Sequence, residues 1–245
     1  MILEDPMDGA GGEAELRELL QRATTATVAS LLFVRGLRGQ AVRGVQRLTQ
    51  TRRILAGPAF TLRSIPARED LDVPSVFHDP AHPQRRAIEE APAGSVLVLD
   101  SRGDLGSAAA GGVLLKRLEV RGCAGLVTDG TLRDADPIAD MDMPVYCAGR
   151  NPLTNLTRHH AVDLQVPISC GEAPVYPGDW ILGDGDGVLV IPAAIAREIA
   201  EEAVEKEQLD AFLMAEIAGG APVPGTYPPC EAVLARYRAW RARQD

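Results

Sequence analysis

Apolar positions recur at helical spacing between Glu13 and about Leu32, with Leu16, Leu19 and Leu20 followed by Val28, Leu31 and Leu32. That period predicts helix, and Thr24 or Thr25 is placed to cap a second helix within the stretch. Between Gly36 and Arg53 the pattern lapses into basic residues with few large apolar ones, which reads as a loop or surface arm. Apolar runs bounded by turn residues then take over. Ala56–Ala67 reads as a strand entered through Gly57-Pro58, Ser95–Asp100 as a buried strand, Gly125–Thr128 as another ahead of Asp129-Gly130, and Met143–Tyr146 as a fourth. Val113–Val120 reads as a helix closing at Gly122. A strand, a helix and a strand in that order imply parallel pairing through a right-handed crossover. The last three strands are therefore expected in one sheet, with Val113–Val120 packed on it.

Other stretches are less regular. Arg68–Arg86 is polar and Pro-rich and reads as a solvated loop; His78 and His82, with Pro80 between them, are not a helical metal pair. Ser101–Gly112 is a loop of small residues. Gln165–Pro192 repeats Gly and Pro among short apolar runs, which predicts β-hairpins turning at Pro177-Gly178-Asp179 and at Asp184-Gly185-Asp186-Gly187. The second turn lacks the acidic residue that closes a calcium loop. Ala193–Ala218 predicts one long amphipathic helix with Ile195, Ile199, Ala203, Leu209, Phe212, Leu213 and Ile217 on one face. The tail ends in a short basic amphipathic helix over "AVLARYRAWRA". No repeat or linker divides the chain. Residues 13–245 are expected to form one domain with a C-terminal helical extension, and the Gly- and acid-rich residues 1–12 to be disordered.

Composition narrows the class. The 245 residues are 46% hydrophobic but only 4% aromatic, so a globular core must be built from Val, Leu, Ile and Ala. A net charge of −9 argues against a general role on nucleic acid or anionic membrane. No secretory leader or membrane-length apolar run is read from the sequence. Cys123, Cys147, Cys170 and Cys230 are far apart and form no CxxC pair; buried reduced thiols are expected, which suits a cytoplasmic protein and not a zinc site.

Chemistry concentrates between Asp100 and Asp134. A Gly-rich loop enters a helix at Gly111-Gly112-Val113, where close backbone approach and free N–H groups favour an anionic ligand. The next strand delivers Arg133 and Asp134. Arg133 suits a carboxylate or a developing enolate oxygen, and Asp134 a divalent cation carrying several waters. No Walker or GxGxxG pattern is present, so a nucleotide is not indicated. The competing reading of an Arg-Asp dipeptide is a surface or structural ion pair.

The blocks "GPAFTL", "SVLVLD", "RGCAGLVTDGTLRD", "PVYCAG" and "VPISCGEAPVYPGDWILGDGDGVLVIP" resemble the RraA-like family, which contains regulators of ribonuclease activity and class II 4-hydroxy-4-methyl-2-oxoglutarate aldolases. The resemblance covers about Glu13 to Leu213 and implies an α/β fold: a swivelling β/β/α domain, its central sheet flanked by helices, with a long C-terminal helix. It implies a homotrimer or hexamer with sites between subunits. It assigns Arg133 to the pyruvate enolate and Asp134 to Mg2+ or Mn2+; the Gly111, Gly112 and Val113 turn, read above as an anion site, is then expected to face the substrate. A base would come from the neighbouring subunit's C-terminal helix, where Glu205 and Glu207 are the candidates. The family's acidic residue, separated from the arginine by twenty residues, is here Gly112; Asp104 and Asp129 are possible substitutes. The asparagine that members often place ahead of the strand ending at Asp100 is missing, with His78 and Asp79 the nearest polar candidates. The function so implied is a metal-dependent lyase on a 2-oxo acid, by retro-aldol cleavage or decarboxylation. The alternatives are a non-enzymatic protein-binding regulator, or another enolate reaction such as isomerisation.

Overall fold

The computed structural model describes residues 10–243. Helices α1 (Ala10–Leu20) and α2 (Thr25–Val34) lead to the short strand β1 (Gln46–Arg47) and the long β2 (Leu55–Pro66). Then follow α3 (Pro83–Glu90), β3 (Val96–Asp100), β4 (Ala108–Ala110), α4 (Gly112–Val120), β5 (Gly125–Leu132), α5 (Ala135–Ala139) and β6 (Val145–Arg150). The chain continues through β7 (His159–Leu164), β8 (Ile168–Cys170), β9 (Ala173–Val175), β10 (Trp180–Gly183) and β11 (Val188–Ile191). It ends in α6 (Ala196–Ala218), α7 (Val223–Thr226) and α8 (Glu231–Arg241).

The main sheet runs β1-β6-β5-β3-β2-β10-β11, with β4 alongside β5 and β7 alongside β2. Strands β2, β3, β5 and β6 are parallel neighbours, with Val96 opposite Gly125 and Leu126 opposite Val145. The three strands expected in one sheet are therefore adjacent. Alternation along β3 shows why its run is apolar throughout. Leu97 and Leu99 join a core with Ala87, Ile88, Leu115 and Leu118, beneath α3 and α4. Val96 and Val98 face the opposite side and pack with Tyr146, Cys170, Val175 and Ile181. A strand covered on both faces needs no polar positions. A third core joins Leu20, Leu32, Ile199 and Ala203 to Leu182 and Ile191; the first half of α6 buries its predicted face here, while Leu209, Phe212 and Leu213 pack against Val233, Tyr237 and Trp240 of α8.

Hairpin β10–β11 turns at Asp184–Gly187 as expected, whereas β8 pairs β9 through Gly171-Glu172 and the Pro177-Gly178-Asp179 turn leads from β9 to β10, which do not pair. The Asp184 carboxylate is used structurally, accepting from the Thr25 N–H and hydroxyl. Several readings change. Val42, Val45 and Leu48 are buried, so Gly36–Arg53 is a packed edge segment and not a surface arm; isolated apolar residues carry no period until the fold supplies their neighbours. The stretch that reads as solvated loop up to Arg86 contains the start of α3, opened by Pro83 at its first position. Strand β7 has no counterpart among the expected elements. Cys230 is exposed, while Cys123, Cys147 and Cys170 are buried. At the amino end α1 begins at Ala10, inside the segment expected to be disordered; residues 1–9 lie outside the described residues. No helix among the described residues is long and apolar enough to cross a membrane.

Candidate functional site

Strand β5 ends at Leu132, and the Arg133 N–H still reaches back to the Ala110 carbonyl at 3.2 Å. The chain then turns into α5 through Asp134, whose backbone is left-handed at φ 61° and ψ 44°. Aspartate tolerates this region better than most residues, but it remains uncommon outside glycine. The turn lifts both side chains out of the sheet at its carboxyl edge, where open α/β sheets gather ligands.

Arg133 and Asp134 do not neutralise each other in a tight pair. The Arg133 Nε lies 3.9 Å from Asp134 Oδ2, beyond hydrogen-bond reach, and the two side chains are 46% and 48% exposed. Asp134 Oδ2 instead accepts the Gly112 N–H at 2.9 Å. The carboxylate thus caps the start of α4 from outside the helix. Both protein contacts fall on Oδ2, which leaves Oδ1 and the guanidinium fork for a ligand. The next N–H, that of Val113, lies in the first helical turn and has no partner within the helix.

A cleft of roughly 180 Å³ opens at this point, lined by Gly111, Val113, Arg133 and Asp134 and closed on the other side by Phe77, Arg85 and Asn155. Its floor is fixed: the Gln84 side-chain amide donates to the Ala109 carbonyl at 2.7 Å. The size suits a small organic acid and falls below the volume of ordinary drug- or nucleotide-sized pockets, about 300–1,000 Å³. A side chain at 111 would displace both functional groups. A Cβ there would stand 2.7 Å from Asp134 Oδ2 and 2.9 Å from Arg133 Nε.

Gly112 is different. Its φ is not in the left-handed region, and a Cβ would meet Asp134 Cβ at 3.2 Å, a close contact that a small shift relieves. Neither candidate substitute for an acidic residue here lines the cleft. Asp104 is committed to Arg158 at 2.7 Å, a bond that holds its carboxyl below the ordinary range. Asp129 is buried and accepts backbone N–H groups from Ser101, Gly103 and Gly171. His78 and Asp79 are also outside the lining; their neighbour Phe77 is the residue that faces in.

The two candidate bases are separated by their bonds. Glu207 accepts from the Thr24 N–H and hydroxyl at 2.9 and 2.7 Å, joining α6 to the start of α2. Partial burial alone raises its pKa, but hydrogen bonds from Thr24 and Thr27 more than reverse this. Glu205 is exposed and 3.7 Å from Arg241. Neither lines the cleft within this chain.

Among the described residues there is no group of three or more His, Cys, Asp or Glu side chains that could hold a metal. One half-exposed carboxylate with a free oxygen does fit a hard cation that keeps most of its waters, the habit of Mg2+ and Mn2+. Arg85, Gln84, Phe77 and Asn155 carry no mark in the sequence, because they come from segments that read as loop or suit no element.

A protein of Halalkalibacterium halodurans named "Putative 4-hydroxy-4-methyl-2-oxoglutarate aldolase" is 37% identical over 125 residues, 51% of this chain and 59% of that one. Protein DlpA of Legionella pneumophila is 27% identical over 206 residues, 84% of this chain but 32% of DlpA. The chain thus spans less than two thirds of either relative's length. Among solved structures, Streptomyces coelicolor RraAS2, described as an unusual member of the RNase ES inhibitor RraA protein family, superposes with a TM-score of 0.71 at 31% identity. That match covers 86% of this chain and 98% of RraAS2. The RraA-like model, Aldolase/RraA, matches residues 25–190, well over half of the chain, and the protein belongs to that family.

Proposed function

We propose that the protein is a divalent-metal-dependent lyase acting on a 2-oxo acid, by retro-aldol cleavage or by decarboxylation. The observation that carries this reading is the unspent pair at the end of β5. Arg133 keeps its guanidinium fork free and Asp134 keeps one oxygen free, at the mouth of a cleft sized for a small acid. The aldolase name of the H. halodurans relative agrees with it.

In this reading Arg133 receives the substrate's oxygen anion and stabilises the charge that grows there as the carbon–carbon bond breaks. The first turn of α4 presents the Val113 N–H to the same anionic end. Asp134 would hold Mg2+ or Mn2+, which when bound supplies Lewis-acid polarisation of the 2-oxo group. Retro-aldol cleavage also requires removal of the proton from the departing alcohol. Glu205, supplied by a neighbouring subunit, is the better candidate for this because Glu207 is already bonded to Thr24. Decarboxylation needs no such base, so one Arg133 site serves both reactions through the same pyruvate enolate.

A shared site requires an oligomer, for which the family resemblance points to a homotrimer or hexamer. An open groove beside the cleft supports this assembly: Val113 and Val120 on α4 are 84% and 69% exposed, and Pro137 and Met141 line the same groove. Sedimentation as a monomer at micromolar concentration would remove the neighbouring base.

The deciding experiment is release of pyruvate from 4-hydroxy-4-methyl-2-oxoglutarate and from oxaloacetate, with Mg2+ or Mn2+ and then with chelator. Turnover lost on chelation supports the lyase. A second reading, a protein-binding regulator, draws support from Gly112 in place of an acidic residue and from the likeness to RraAS2. It predicts no turnover of either acid with either metal.

A further inference from the structure

Arg85 is the third residue of α3, in its first turn. A cation there faces the positive end of the helix, where carboxylates are favoured and guanidinium groups are not. The other arginines of this region are paired: Arg86 with Glu90, and Arg117 with Glu89. Arg85 has no such partner among the described residues. Its side chain lies over the Phe77 ring, 4.8 Å from the centroid, a contact that positions the guanidinium without using its N–H groups. Burial lowers its pKa with no carboxylate to restore it. Its charge, after burial, also helps to depress the pKa of the buried His82.

A half-buried cation with no carboxylate beside it, on the wall of a cleft, is placed to receive an anion. It lines the same cleft as Arg133 and Asp134. The protein's own side chains therefore leave two arginines facing one carboxylate, and Arg133 and Asp134 are already assigned to the 2-oxo end of the substrate. We propose that Arg85 is a specificity-determining residue that receives the second carboxylate of a dicarboxylic 2-oxo acid held at Arg133. This rests on the lyase reading for the orientation of the substrate, but not for the existence of a second anion position. A planar fork held over Phe77 matches a carboxylate in two parallel hydrogen bonds. Phe77, Ala108 and Ala110 line the same cleft and give it the apolar wall that a short carbon chain requires.

The test is binding, measured by calorimetry at fixed Mg2+ on the whole protein. The probes are 2-oxoglutarate and 2-oxopentanoate, acids of equal length that differ by the distal carboxylate. The wild type should bind 2-oxoglutarate tighter by roughly tenfold, the worth of a charged hydrogen-bonded pair. Arg85→Met keeps the apolar stem on Phe77 and should bring the ratio near one while leaving 2-oxopentanoate affinity unchanged. Arg85→Lys should retain part of the preference. No preference in the wild type, including no measurable binding of either acid, overturns the assignment. So does an Arg85→Met variant that weakens both acids equally. A preference that depends on Arg85, in a protein that releases no pyruvate with Mg2+ or Mn2+, upholds the assignment and sinks the lyase reading.

Discussion

Asp129 and Asp134 stand five positions apart on one run of chain. Asp129 is 6% exposed, and both its oxygens are occupied by backbone N–H groups of Ser101, Gly103 and Gly171. Asp134 is half exposed, gives one oxygen to Gly112, and stands 3.9 Å from the nearest guanidinium nitrogen. The first carboxylate is consumed in holding together the loop after β3 and the turn between β8 and β9. The second is held in place by the fold and left open. Both are aspartates on one stretch of β5 and its exit; what separates structure from chemistry is how much hydrogen-bonding capacity the protein itself has used.

The largest effects should fall on opposite properties. Asp134→Asn keeps the left-handed backbone and an oxygen for Gly112, so its thermal midpoint should stay within a few degrees of wild type. Pyruvate release that depends on Mg2+ or Mn2+ should nevertheless vanish. Arg133→Ala should cost about 3 kcal/mol of transition-state stabilisation, near a hundredfold in turnover, as for a lost oxyanion donor. Arg133→Lys should restore little, since one ammonium cannot present a planar fork. Unchanged turnover in Arg133→Ala would leave the pair a surface feature.

Asp129→Ala should instead strike the fold. It strands three N–H donors, each costing about 1–3 kcal/mol if it stays unsatisfied, so urea midpoints should drop far more than for Asp134→Asn. Equal midpoints for the two variants would dissolve the contrast.

Asp100, at the end of β3, sharpens it through pH. Burial raises its pKa from 3.8 to about 6, with the Asp129 charge adding to the effect. The folded state then binds more protons than the unfolded one between those values. Ionised Asp100 costs stability above pH 6, and the cost fades as pH falls toward 4. Asp100→Asn should therefore stabilise the protein at pH 7.5 by up to roughly 3 kcal/mol, since each tenfold change in proton affinity is worth about 1.4 kcal/mol. The gain should close toward zero near pH 4. A gain that is constant with pH would place its origin elsewhere.

Much of this fold is written in apolar runs. Strands β3, β5 and β6 and helix α4 are legible as apolar runs, but not in all their bounds: the Asp129-Gly130 pair read as a turn lies inside β5, which continues to Leu132, because Asp129 is satisfied there by N–H groups from distant loops. The packed segment Gly36–Arg53 and strand β7 are not legible, since Val42, Val45, Leu48 and Ala161 gain their meaning from distant partners. The site divides the same way. Arg133 and Asp134 are visible as charges at a strand end. Arg85 is hidden in a polar, Pro-rich stretch, and only the folding of α3 against the β4–α4 turn reveals that it lacks a partner. The commitment of Glu207 to Thr24 crosses 183 positions of sequence and leaves no local mark.

The smallest expected effect concerns Gly112, the second of the two glycines at the start of α4. At Gly111 a side chain collides with both functional groups, so Gly111→Asp should ruin the site. At Gly112 the backbone accepts any L residue, and the nearest obstacle is Asp134 Cβ at 3.2 Å, which a shift of a few tenths of an ångström clears. Gly112→Asp sets a second carboxylate beside Asp134. Without a cation the like charges repel, and the thermal midpoint should fall slightly. With Mg2+ or Mn2+ the repulsion becomes attraction, so metal affinity should rise by about tenfold, within the range of groups that support a ligand from the next layer. The midpoint gained on adding metal should exceed that of the wild type, a readout that needs no turnover. Retro-aldol cleavage, which depends on ordered proton transfer, should gain more than oxaloacetate decarboxylation. A folded Gly112→Asp variant with wild-type metal affinity would show that Asp134 alone sets cation binding, and that the glycine marks a protein whose cleft works without the second acid.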